Sequence, residues 1–210
     1  MIALILAGGP LRPSPRLLRK VAEADVVIAA DGGLRHAIPL GVTPDLLVGD
    51  LDSVREEDLM VWPDVPTERH PADKDALDLE LAIEAALARG AECIRVIGAF
   101  GGRFDQTLAT AWIAARYAEQ GVDMSLLDGI HDAYPLPAGA RFDDEVPSGT
   151  VFSLLSVSER SRVDVDGADY PLRDAELPRG VGLGLSNVAH DRLVVDVREG
   201  LVLLILEWDA

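Results

Sequence analysis

Short apolar runs alternate with amphipathic stretches over the first 128 residues. Ile2-Ala3-Leu4-Ile5-Leu6 contains no polar break, the mark of a strand buried on both faces. Gly8-Gly9-Pro10 interrupts it. Residues 15–24 place Leu17, Leu18, Val21 and Ala22 on one side at helical spacing, so a helix is predicted there. Val26-Val27-Ile28-Ala29 predicts a second strand, ended by the turn Asp31-Gly32-Gly33. Leu46-Leu47-Val48 predicts a third, ended by Gly49-Asp50. A helix is predicted over 78–89, with Asp78 as its cap, Leu81, Ala82, Ala85 and Ala86 inward, and Gly90 as its stop. A strand over 94–97, a helix over 104–119 stopped by Gly121, and a strand over 124–127 complete the series. Strands alternating with helices predict an α/β domain with a mainly parallel sheet covered on both faces.

After Asp128 the pattern changes. Pro135, Pro137, Gly139, Pro147 and Gly149 punctuate the chain, and β-type runs follow over 150–155, 161–165, 192–197 and 201–207. Arg198-Glu199-Gly200 between the last two runs predicts a hairpin. The boundaries expected are 1–128 for the α/β domain and 129–210 for an all-β, sandwich-like domain.

Composition narrows the function classes. The chain has 210 residues, 49% of them hydrophobic, and can bury a sizeable core. Its formal charge is −17, which disfavours nucleic-acid binding while leaving room for phosphate chemistry through a bound cation. One cysteine, Cys93, permits neither an intrachain disulfide nor a cysteine metal cluster. The first residues lack the basic stretch of a signal peptide, and 201–206 is too short to span a bilayer. A cytoplasmic protein is expected. His36, His70, His131 and His190 show no metal-ligand spacing and read as loop or surface residues.

The aspartates are the informative feature. In open parallel sheets, ligands bind at the carboxyl ends of the strands. Asp31, Asp50 and Asp52 follow predicted strands, Asp75 and Asp78 precede a helix, and Asp105 follows the strand that ends at Gly98. If Gly49-Asp50-Leu51-Asp52-Ser53 is extended, Asp50 and Asp52 point the same way and repel unless a cation lies between them. Mg²⁺ takes such carboxylates together with phosphate oxygens. Lys74 stands among acids as a candidate phosphate ligand. Gly98-Ala99-Phe100-Gly101-Gly102-Arg103-Phe104-Asp105-Gln106 offers glycine N–H groups, a helix start and an arginine, all suited to an anion. The P-loop pattern is absent.

Taken in order, these blocks resemble the thiamine pyrophosphokinase family. They are Asp31-Gly32-Gly33, the stretch from Pro44-Asp45 to Gly49-Asp50-Leu51-Asp52-Ser53, Lys74-Asp75 with Asp78 and Glu80, and Gly101-Gly102-Arg103-Phe104-Asp105. Later marks are Phe152-Ser153-Leu154-Leu155, Gly167-Ala168-Asp169-Tyr170-Pro171-Leu172 and Gly184-Leu185-Ser186-Asn187, so the match covers nearly the whole chain. The resemblance implies transfer of diphosphate from ATP to the hydroxyl of thiamine, with AMP leaving. It implies Mg²⁺ on Asp31, Asp50, Asp52 and Asp78. Catalytic roles would fall to Asp78, Asp105, Lys74 and Arg103. Nucleotide contacts would come from Gly32, Gly33, Gly101, Gly102 and Gln106, and thiamine would lie at Ser186 and Asn187 in a homodimer interface. The chain departs from the family pattern at Leu77, Gln106 and Thr110, where the family often has threonine, histidine and asparagine. Two other readings are weighed: a diphosphokinase that keeps the site and takes another heterocyclic alcohol such as a hydroxymethylpterin, and a non-catalytic thiamine- or nucleotide-binding regulator, which would need a broken acidic cluster.

Overall fold

The structure is a computed structural model describing residues 1–71, 73 and 75–208. Two compact units emerge: residues 1–113 with 122–129, and residues 114–121 with 130–210. The main division falls at 129/130, one residue past the boundary expected from the pattern.

The first unit is built on a parallel sheet. Its strands are β1 (Ile2–Leu6), β2 (Val26–Ala30), β3 (Leu46–Gly49), β4 (Thr67–Arg69), β5 (Cys93–Ile97) and β6 (Asp123–Leu127), in the order β6-β5-β1-β2-β3-β4. All five neighbouring pairs are parallel. Between them run α1 (Pro15–Ala22), a 3₁₀ turn (Asp31–His36), α2 (Ala37–Leu40), α3 (Glu56–Val61), α4 (Asp78–Ala88) and α5 (Phe104–Glu119), the last counted with this unit only up to residue 113. Ser14 starts α1: its Oγ accepts the Leu17 N–H at 3.2 Å, and Pro15 loses no helical hydrogen bond at the first position. Leu17 and Val21 then pack with Leu4, Leu6, Val27, Ala29, Leu47 and Ile97 in one core. Burying a leucine as fully as Leu17 contributes about 1.5–3 kcal/mol. α4 packs against β1, β2 and β3.

Register is what makes the site. Leu6 pairs with both Ala29 and Ile97, Ala30 with Val48, and Ile97 with Leu127. The strands therefore end level, and the residues that follow them emerge along one edge: Ala7, Asp31, Asp50 and Gly98.

The second unit is antiparallel. β7 (His131–Pro137), β13 (Leu201–Glu207) and β9 (Val151–Ser156) pair in sequence, and β9 also pairs with the first residues of β12 (Asn187–Glu199). The rest of β12 pairs with β8 (Arg141–Glu145) and β10 (Arg160–Ala168), and β10 pairs with β11 (Leu172–Pro178). The transfer coincides with a register shift between Asp166 and Ala168. Alternate residues of both sheets, among them Phe152, Leu154, Val163, Val165, Val195, Val202 and Leu204, fill one core. The hairpin expected at Arg198-Glu199-Gly200 is corrected: that turn is a corner between sheets. The residues before it pair with β8 and β10, and those after it with β7 and β9. Among the described residues, no helix is long and apolar enough to cross a membrane.

Candidate functional site

Three carboxylates meet at the carboxyl edge of the parallel sheet. Asp31, Asp50 and Asp78 each present an oxygen, all within 4.8 Å of one another. Each is placed by a different element. Asp31 directly follows β2 and opens the 3₁₀ turn with a left-handed φ of 45°. Such a backbone costs about 1 kcal/mol or more in a non-glycine residue and persists only where its surroundings impose it. Asp50 directly follows β3. Asp78 is the first residue of α4, not its cap as the pattern suggested; the cap is Leu77, whose N–H is accepted by Glu80 Oε2 at 3.1 Å. With Glu80 serving the helix start, the Asp78 carboxylate stands beside the other two. Gly49 permits the approach: a Cβ there would lie 3.0 Å from Asp78 Oδ1, and its φ is 146°.

The trio is chemically incomplete by itself. Asp31 Oδ1 is buried and has no hydrogen-bond partner. Burial pushes the Asp31 carboxyl above its ordinary value, and the nearby Asp78 charge adds to the rise; hydrogen bonds from Gly32 and Ser53 act the other way. A carboxylate held so close to two others, with an oxygen left over, is what a hard divalent cation satisfies.

Asp52 is positioned differently from its expectation. The stretch 50–52 is not extended. Leu51 has a left-handed φ of 69°, and the Asp52 N–H turns back onto Asp50 Oδ1 at 3.1 Å. Asp50 and Asp52 therefore do not project in parallel. Asp52 is exposed, accepts the Ser53 hydroxyl at 3.0 Å, and stands outside the close trio although it borders the same cavity.

That cavity has a volume of about 700 Å³. Asp31, Asp50, Asp52 and Asp78 form its acidic side, and Gly8, Gly9, Gly98, Gly101 and Gly102 form glycine walls. Arg103, Gln106, Thr107 and Thr110 of the α5 region also line it, as do Gly32 and Leu77. Gly33 serves packing beneath: a Cβ there would lie 1.9 Å from the Leu6 carbonyl oxygen. Asp105 is not in the lining. It holds Arg103 through two hydrogen bonds of 3.1 and 2.5 Å, and this pairing lowers its carboxyl below the ordinary value. Lys74 lies outside the described residues. Ser186 and Asn187 belong to the second unit. Ser186 is exposed with a φ of 56°. The Asn187 amide is buried and committed to the Tyr170 backbone, accepting its N–H at 3.1 Å and donating to its carbonyl at 2.8 Å.

Two residues escaped the sequence reading. Arg35 is a cationic member of the cavity lining. His36, expected in a loop or at the surface, is buried, with Nε2 2.8 Å from the Gly9 carbonyl oxygen. Desolvation lowers its imidazole below the ordinary value. Their signal was position alone, immediately downstream of Asp31-Gly32-Gly33.

Comparison with known proteins gives a consistent result. The family model described as thiamin pyrophosphokinase, catalytic domain, matches residues 17–126. A thiamine pyrophosphokinase of Bacillus subtilis is 26% identical over 209 residues, covering 98% of each chain. The crystal structure of thiamine pyrophosphokinase from Bacillus subtilis superposes with a TM-score of 0.86 at 24% identity, covering 100% of each chain. Thiamin pyrophosphokinase from Candida albicans gives 0.82 at 16% identity, covering 99% of this chain and 89% of that one. At these identities the two structural likenesses carry the fold.

Proposed function

From the premise that this chain belongs to the thiamin pyrophosphokinase family, we propose that it transfers a diphosphate group from ATP to the hydroxyl of thiamine, releasing AMP, at the cavity edged by Asp31, Asp50 and Asp78. The observation that carries the site is the convergence of these carboxylates around a buried, unsatisfied Asp31 oxygen. They suit Mg²⁺, which when bound would neutralise charge on the phosphates. Asp52, at the rim, is an outer acidic group.

The remaining chemistry falls to side chains of the cavity. The thiamine oxygen forms a bond to the β-phosphorus as the bond from that phosphorus to the α,β-bridging oxygen breaks, and AMP leaves with that oxygen. The hydroxyl proton needs an acceptor. Asp78 lines the cavity and Asp105 does not, which favours Asp78 as that acceptor. Arg103 faces the cavity and is assigned to the charge developing on the transferred oxygens, with Asp105 orienting its guanidinium. Lys74 is assigned to the phosphates by the family pattern alone. Backbone N–H groups of Gly32, Gly101 and Gly102, with the Gln106 amide, border the nucleotide; Gly33 supports them through packing. A cavity of about 700 Å³ lies within the range of small-molecule and cofactor sites. Ser186 and the segment shaped by Asn187 are assigned to thiamine in a homodimer, and the enzyme is assigned to the cytoplasm.

The test is direct. The purified chain, given ATP, thiamine and Mg²⁺, should form thiamine diphosphate and AMP in equal amounts, with no product after chelation. Equal turnover of a hydroxymethylpterin would shift the acceptor class. Thiamine binding without AMP would make the chain a binding protein.

A further inference from the structure

The glycine loop after β1 is held by two consecutive side chains of the 3₁₀ turn that begins at Asp31. Arg35 donates from Nη2 to the Gly8 carbonyl. His36 Nε2 meets the Gly9 carbonyl at 2.8 Å. A carbonyl only accepts, so Nε2 carries the hydrogen at this contact. The other end of the loop is also fixed: the Gly9 N–H donates to the Gly98 carbonyl at 3.0 Å. Each peptide unit can then be followed. The Gly8–Gly9 peptide is planar, and both its C=O and its N–H are engaged. The Gly9–Pro10 peptide has only a C=O to offer, and His36 engages it.

This arrangement matters because glycine does not hold a conformation by itself. Gly8 and Gly9 line the cavity, and the carbonyl oxygens of such a loop repel phosphate if they turn inward. Both oxygens are instead bound by donors from the segment that also carries Asp31. Pro10 extends the contact, since a Cβ on Gly101 would fall 2.6 Å from Pro10 Cγ. The acidic edge and both glycine walls are thus mechanically joined through residues 35 and 36. His36 is buried and its Nε2 lies 3.3 Å from the place a Cβ on Gly98 would take, so it has little freedom to do anything else.

We propose that His36 is a positioning residue, assisted by Arg35, which fixes the Gly8–Gly9 carbonyls away from the phosphates and keeps the loop in its nucleotide-receiving form. This rests on the reading of the cavity as a polyphosphate site. His36→Leu removes the donor while keeping an apolar side chain of similar size in the buried position. His36→Gln restores an N–H donor. In His36→Leu, hydrogen exchange at the Gly9 amide, followed by NMR, should accelerate about tenfold with the Leu4 and Ile5 amides unchanged, because the loop loses the donor that holds the Gly9 carbonyl. KM for ATP should rise about tenfold while kcat changes less than about threefold, and His36→Gln should recover most of both effects. Unchanged Gly9 exchange in His36→Leu overturns the proposal. So does acceleration spread evenly through β1, which marks a general core support, or an equal loss in His36→Gln. The exchange measurement needs no turnover. An inactive wild-type chain with the predicted exchange pattern would sink the diphosphate-transfer reading and leave the clamp standing; an active one with unchanged exchange would sink the clamp alone.

Discussion

In the second unit, Asp143 is paired with two arginines; in the first, Asp31 stands beside two aspartates. Arg192 reaches Asp143 at 2.6 Å and Arg141 at 3.1 Å, while Arg141 also holds Asp196 at 2.7 Å. Arg192, then Arg141, pull the Asp143 carboxyl down to about 2. The cleft reverses the sign: burial and the Asp78 charge raise the Asp31 carboxyl. The same residue type is paired within the chain in one place and, under the proposed function, left for an outside cation in the other. A chain with 36 acidic residues is therefore best read by asking which carboxylates have been given partners.

The comparison is most easily broken at the cleft. Asp50→Asn should lower kcat/KM by about 10²–10³-fold, in the range found when a single preorganised charge-stabilising group is lost, while the melting temperature holds or rises as like-charge repulsion falls. Asp31→Asn and Asp78→Asn should behave alike. Steady-state kinetics beside thermal melts check this, and loss of activity that merely follows unfolding would contradict it. Asp52→Asn, outside the trio, should cost only about tenfold.

Cation addition should separate the two regions next. Mg²⁺ at about 100 times its dissociation constant should stabilise the wild-type chain by about 2.7 kcal/mol, and stabilise Asp50→Asn far less. Melts with and without the ion give the answer. Equal shifts in both proteins would place the ion elsewhere.

The smallest effect belongs to the paired surface. Asp143→Asn should leave kcat/KM unchanged and lower the melting temperature slightly, since exposed pairs contribute little. The pH sign follows from the depressed carboxyl. With a folded value near 2 and an ordinary value of 3.8, the Asp143 contribution is present above about pH 4 and fades as pH falls towards 2. Acid titration of melting temperature should therefore differ between wild type and Asp143→Asn at pH 6 and converge at the acid end.

The sequence made much of this visible for a physical reason. Unbroken apolar runs mark buried parallel strands, and in such a sheet the residue after each strand is already at the ligand edge, so Asp31 and Asp50 could be singled out directly. What stayed hidden depends on contacts distant in the chain or on single dihedral angles. Leu51 gives no sign that it adopts a left-handed φ, yet that angle separates Asp52 from the trio. β4 is exposed throughout, so it has no apolar pattern and exists through its pairing with β3. The misread turn at Arg198-Glu199-Gly200 joins two β runs in different sheets, which local alternation does not encode. His36 becomes informative only once Gly9 is seen against it.

The most direct measurement is a crystal structure of the chain with Mn²⁺, thiamine and a non-hydrolysable ATP analogue, the metal located by its anomalous signal. A peak coordinated by oxygens of Asp31, Asp50 and Asp78 and shared with phosphate oxygens is the predicted result. Nucleotide bound with its metal on other residues, and the three aspartates bare, would contradict it.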